Sequence, residues 1–221
     1  MLKYSPKKLS HYNATLWGIT ETTYLSKTIP KVIKLKKPTY TYPYIRKDEM
    51  LKFKENRYKQ SISPKIILAG KRFFEAFYDE NGEYVAGKTT YIIKKPKSVV
   101  DISMKVLLGI LNSSLISFYI SEVYATRGID GGVDFNPDLV EDLPLPKLTD
   151  KQKNEIEELV NKIIPLYKKY YETNLKKEEE IYQESLNTME RRIDEIIALS
   201  FGLQFKKYEN AIIPKRKKKK I

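Results

Sequence analysis

The sequence predicts an α+β protein: a β-rich region with short buried helices over residues 1–147, then an antiparallel helical hairpin over 149–203. Three observations carry this. Residues 64–94 alternate β-branched or aromatic runs with turn signals. Residues 102–125 switch to apolar residues at helical spacing, and residues 149–203 repeat that spacing over two longer stretches. With 221 residues, 41% of them hydrophobic, the chain can bury real cores.

Taken in order, Ile66-Ile67-Leu68-Ala69 and Phe73 to Tyr78 read as strands. Asp79-Glu80-Asn81-Gly82 follows as a turn, then Glu83 to Ala86 and Thr89 to Ile93 as further strands. Asn-Gly between β-prone runs predicts a hairpin there. Val106, Leu107, Ile110 and Leu111 predict one short helix. Leu115, Ile116, Phe118, Tyr119, Ile120 and Val123 predict a second, restarted by an N-cap serine in Asn112-Ser113-Ser114. A glycine-rich loop, Thr126 to Asp134, comes next, and the prolines of Leu143-Pro144-Leu145-Pro146 close the first region near residue 147.

Thr149 and Gln152 form a capping-box pair, ahead of Ile156, Leu159, Val160, Ile163, Tyr167 and Tyr170 on one helical face. Pro165 should kink this helix. A second helix from about Lys176 places Tyr182, Leu186, Met189, Ile193 and Ile196 at spacings of four and three and stops at Gly202. The seam between the two has two open uses, packing onto the chain's own globular region or docking onto a partner. Residues 204–221 are expected to be a basic, disordered tail.

The net charge of +13 is unevenly spread: residues 1–100 carry +13, 101–148 carry −4, 149–209 carry −2 and 210–221 carry +6. In the first hundred residues cations interleave with aromatics, as in Tyr40 to Lys47 and Phe53 to Lys59. Such a composition suits contact with a phosphate backbone and with bases or sugars. Without cysteine, thiol chemistry and Cys-ligated metal sites are excluded, and with His11 as the one histidine, His-rich metal sites and Ser-His-Asp triads are all but excluded. No apolar run is long enough to span a bilayer, so a soluble, cytoplasmic protein without membrane contact is expected.

Gly82-Glu83-Tyr84-Val85-Ala86-Gly87-Lys88-Thr89 fits the Walker A expression, yet Thr90-Tyr91-Ile92-Ile93 follows where a P-loop requires a helix. A strand is the expectation. Asp79, Glu80 and Glu83 with Lys88 have the wrong spacing for a metal-dependent nuclease and read as a solvated turn. No catalytic residue, cofactor site or metal site is assigned to this chain.

Pro64 to Leu68, the turn Tyr78 to Tyr84, Leu107-Leu108-Gly109-Ile110-Leu111-Asn112-Ser113, Arg127-Gly128 and Leu143-Pro144-Leu145-Pro146, in that order, resemble the TaqI-like C-terminal specificity domain. That domain is the target-recognition part of DNA adenine-N6 methyltransferases and type IIG restriction-modification enzymes. Arg192 to Leu203 is similar to the final helix of those enzymes, so the resemblance spans roughly residues 60–203. It implies a DNA target recognition domain at 1–147. Double-stranded DNA and a DNA adenine methyltransferase domain or subunit would be its partners.

The methyltransferase motifs, including Asn-Pro-Pro-Tyr, are missing, so S-adenosylmethionine is expected in the partner or missing domain, and the chain is a separate subunit or a fragment. Base reading is assigned to Arg127, Asp130, Lys71 and Arg72, beside glycines that permit close approach to a groove. Lys59, Arg57, Arg46 and Tyr44 are assigned to DNA binding. A basic RNA-binding module is the alternative, and a metal-dependent endonuclease is the third.

Overall fold

The computed structural model describes residues 16–20, 44–46, 55–69, 71–72, 75–86, 90–93, 102–124, 133–134 and 137–206. The apolar run at Ile66 to Leu68 forms strand β3 (Lys65–Ala69), the middle of a three-stranded antiparallel sheet. Its neighbours are β5 (Ala76–Asp79) and β7 (Thr90–Ile93), with Ile67 opposite both Phe77 and Ile92. Such an uninterrupted apolar run suits a sheet covered on both faces. Ile66, Leu68 and Ala76 belong to the main core, while Ile67 and Phe77 are buried outside it. Phe77 meets Tyr84 edge-on at 5.6 Å.

A second sheet joins β1 (Leu16–Thr20) to β2 (Tyr44–Arg46) in parallel and to β6 (Tyr84–Ala86) antiparallel. β4 (Lys71–Arg72) pairs antiparallel with β8 (Val133–Asp134). The expected hairpin across Asn81-Gly82 is therefore corrected. The turn exists, with Gly82 at φ 68°, but β5 pairs with β3 and β6 crosses to β1. The physical reason is local. Asp79 accepts the backbone amides of Glu83 at 2.9 Å and Tyr84 at 3.0 Å, where the strands of a hairpin would bond each other.

The two apolar helices are α2 (Met104–Leu111) and α3 (Ser114–Tyr124), preceded in the chain by α1 (Glu55–Ser61). Ser103 caps α2 by accepting the Val106 amide, and Ser113 caps α3 by accepting the Ile116 amide at 3.3 Å. α2 is buried from Val106 through Leu111. No single helix among the described residues is long and apolar enough to cross a membrane. Pro137 opens the short α4 (Pro137–Glu141), as suits a residue without an amide to satisfy.

α5 (Asp150–Glu172) carries the full Thr149–Gln152 capping box and runs on through Pro165, which lies on the exposed side. Asn161, whose carbonyl loses its amide partner there, is exposed too. α6 (Lys176–Ser200) ends in a Schellman motif. The Leu203 amide reaches the Ala198 carbonyl and the Gly202 amide reaches the Leu199 carbonyl, both at 2.9 Å, with Gly202 at φ 75°.

The seam between α5 and α6 has its use inside the chain. Ile156, Val160, Ile163, Leu186, Ile193 and Ile197 share one hydrophobic core with α2, α3, Ile66 and Leu68. A Cβ at Gly109 of α2 would lie 2.8 Å from Ile156 Cγ2, so glycine is what lets α2 approach. Polar ties cross the same junction. Asp194 of α6 accepts the Ser114 amide at the start of α3 at 2.7 Å, and Ser103 donates to Glu157 of α5 at 2.8 Å. Ile193, beside Gly109 of α2, thus serves the first of the two uses, packing onto the chain's own core.

Between the two long helices, Arg192 Nε donates to Glu155 Oε1 at 2.6 Å and holds that carboxyl below its ordinary 4.5. The folded value lies below the unfolded one, so the contribution is complete above pH 4.5 and is lost as pH falls through the depressed value. Both groups are partly exposed, which limits the pair to about 1 kcal/mol. Arg192→Met should therefore reduce the loss of melting temperature on acidification below pH 4.5. Parallel decline of parent and variant would discount the pair.

Candidate nucleic-acid interface

The basic elements lie on the sheets and on α1. Tyr44 and Arg46 stand on β2, the edge of the second sheet, in register with Gly18 and Thr20 of β1. Arg57 and Lys59 stand on α1. Lys59 is exposed and pairs with Glu55 one turn earlier at 2.5 Å, a contact a phosphate would have to replace.

Lys71 and Arg72 stand on β4, opposite Asp134 and Val133 of β8. Because β8 continues directly from the glycine-rich loop, this pairing joins two segments more than fifty positions apart in sequence. Arg127 and Asp130, within that loop, lie outside the described residues, as do Gly87 to Thr89 and residues 207–221.

At the end of α1 lies a polar group that sequence reasoning missed. Lys65 and Asp79, opposite each other at one end of β3 and β5, form a buried ion pair with side chains 0% and 2% exposed. The Lys65 ammonium also donates to the carbonyl of Ser61, where α1 ends, and to that of Ser63 at 3.5 Å. Burial pushes the Lys65 ammonium below its ordinary value, against the opposing pull of the Asp79 carboxylate. The solvated-turn reading is thus corrected for Asp79, whose oxygens are occupied by Lys65 and two amides. Glu80 and Glu83 are exposed, and Glu80 pairs with Lys105 at 3.0 Å. The one available signal was a lysine immediately before an apolar strand, with an aspartate at the end of its neighbour.

The described part of the Walker-like string is a turn and a strand. Gly82 sits in the turn, β6 starts at Tyr84, and β7 starts directly after Thr89. Directly after the string, Thr90–Ile93 form a strand where a P-loop has the helix whose amides face a phosphate.

The Leu107 to Ser113 motif is structural throughout. Asn112, 1% exposed, donates to the Ala76 carbonyl and accepts the Ala76 amide, both at 2.9 Å, and so closes the outer edge of β5 as a neighbouring strand would.

Residues 16–145 match the family model of the TaqI-like C-terminal specificity domain, more than half of the chain, and the chain belongs to that family. The match begins earlier than residue 60 and stops before α5, so the likeness of Arg192 to Leu203 lies beyond it. No curated protein matches the chain.

Proposed function

We propose that this chain is the sequence-specific DNA recognition module of a restriction-modification adenine methyltransferase system of the type IIG kind, noncatalytic by itself. The observation that carries it is the family match across residues 16–145, which takes in most of the strongly basic part of the chain. Methyl transfer, with S-adenosylmethionine, belongs to a methyltransferase domain or subunit that flips its adenine out of the stack while this module holds the flanking duplex. Lysines and arginines of α1 and β2 would grip phosphates. Lys71 and Arg72 on β4, with Arg127 and Asp130 of the loop that leads into β8, would read base edges.

The test is duplex binding by the chain alone, with random duplex, single-stranded RNA and labelled S-adenosylmethionine as comparisons. Preference for one duplex sequence without methyl incorporation is expected; tighter binding of RNA, or methylation by the chain alone, overturns the reading. Arg127→Ala should then lose about 1–3 kcal/mol for the preferred site only and relax one base pair. Lys59→Ala should weaken all sequences alike and lower the slope of log affinity against log salt by about one unit. Equal losses on specific and random duplexes for Arg127→Ala would reassign it to the backbone.

A further inference from the structure

The Lys65–Asp79 pair stands where three parts of the molecule meet. Through its ammonium it holds the carbonyl at the end of α1, and through its carboxylate it holds the amides of Glu83 and Tyr84, which lead into β6. On the same spot the Ile62 carbonyl backs onto Gly82, where a Cβ would lie 2.2 Å from its oxygen. α1 has seven residues, too few to hold a helix unaided. β6 in turn carries β1 and β2.

We propose that Lys65 and Asp79 are positioning residues of the DNA grip. Their pair locks α1 and β6 to the central sheet and so sets where Arg57 and Lys59, and by way of β1 also Tyr44 and Arg46, stand relative to the helical core. The proposal rests on the DNA-binding reading above.

The chemistry of the pair favours this role over a purely stabilising one. Two apolar side chains of similar volume would fill the same space at little or no cost in stability. They could not bond the Ser61 carbonyl and the two amides. What the charged pair adds is direction, fixed by hydrogen bonds to two backbone segments, 61–63 and 83–84.

The experiment uses the full chain with Lys65→Met, read by amide hydrogen exchange and by duplex affinity at several salt concentrations. Exchange over 55–61 and 83–86 should quicken at least about tenfold, while α5 and α6 exchange as in the parent. Affinity should fall alike for preferred and random duplexes, and the salt slope should become shallower by about two units as the α1 cations lose their fixed places. Measured where circular dichroism shows the variant fully folded, a merely structural role would leave that slope unmoved. Parent-like exchange in α1, or quickened exchange with unchanged affinity and slope, overturns the proposal.

Should Lys65→Met fail to fold, Gly82→Ala strains the same joint by pushing on the Ile62 carbonyl with the ion pair intact. The same local exchange and slope changes are expected, and their absence counts against the proposal equally. If the parent binds no duplex, the DNA reading fails separately and the positioning role falls with it, even where exchange shows the joint itself to be real.

Discussion

Ile193→Asp is expected to leave the chain without a stable folded state at room temperature. Ile193 is 1% exposed, in the core that α2, α5 and α6 share. Its replacement forfeits about 2–3 kcal/mol of apolar burial. It also puts a carboxyl into an apolar core, at a further several kcal/mol. Together these approach the whole stability of an ordinary domain, about 5–15 kcal/mol. Loss of cooperative melting and of duplex binding together is the expected result. Ile193→Val, which keeps the site apolar, should cost only about 1 kcal/mol. An Ile193→Asp chain that melts within a few degrees of the parent would place the seam outside the core.

Asn112→Leu is expected to lower the melting temperature by on the order of 5–20 °C while leaving base preference untouched. The side chain makes two 2.9 Å bonds to Ala76, itself 1% exposed, at the edge of β5. Without them a buried amide and a buried carbonyl lose these partners, at about 1–3 kcal/mol each. For a chain of this size each kcal/mol moves the midpoint by about 2–4 °C. Asn112→Asp should be nearly as damaging, since a carboxylate can accept from the amide but meets the Ala76 carbonyl with a second acceptor. Thermal melts and duplex binding below the transition separate stability from reading. A stable variant with altered base preference would show that Asn112 faces DNA.

How much of this was legible depends on how local the determinant is. Helices with their own caps could be read directly: Thr149 with Gln152, Ser113 ahead of α3, and Gly202 after α6 are each settled within a few residues. The strands at Ile66, Tyr84 and Thr90 were legible too, because β-branched and aromatic runs mark an extended chain whichever neighbour it finds. Their pairing was not. Asn81-Gly82 makes the turn that its sequence promises, yet Asp79 takes the next two amides and sends β6 to β1. β1, β2 and α1 escaped because three to seven residues carry too little periodicity to stand out, and what fixes them lies elsewhere in the chain.

For the candidate interface, the sequence located the cations and the order of motifs, and the family match at residues 16–145 bears out the kinship that this order implied. Which of those cations stand near one another depended on pairings between distant segments. β4 finds β8, and so Lys71 and Arg72 are brought to the strand that follows the glycine-rich loop. The function of the Leu107 to Ser113 motif was likewise out of reach of spacing, since Gly109 and Asn112 answer to Ile156 and Ala76, neither of which lies nearby in sequence.

The sequence by itself determined the α+β class, the capped helices with their ends and the segregation of positive charge, because composition, capping and hydrophobic period act over a few residues at a time; the order of its motifs carried the resemblance to specificity domains. Only the tertiary structure decided the strand partners, the burial of Lys65 with Asp79 and the use of the helical seam as internal core. Each of those depends on which distant backbone or side chain satisfies a buried polar group or covers an apolar face, and a residue's own neighbours in the chain carry no record of that choice.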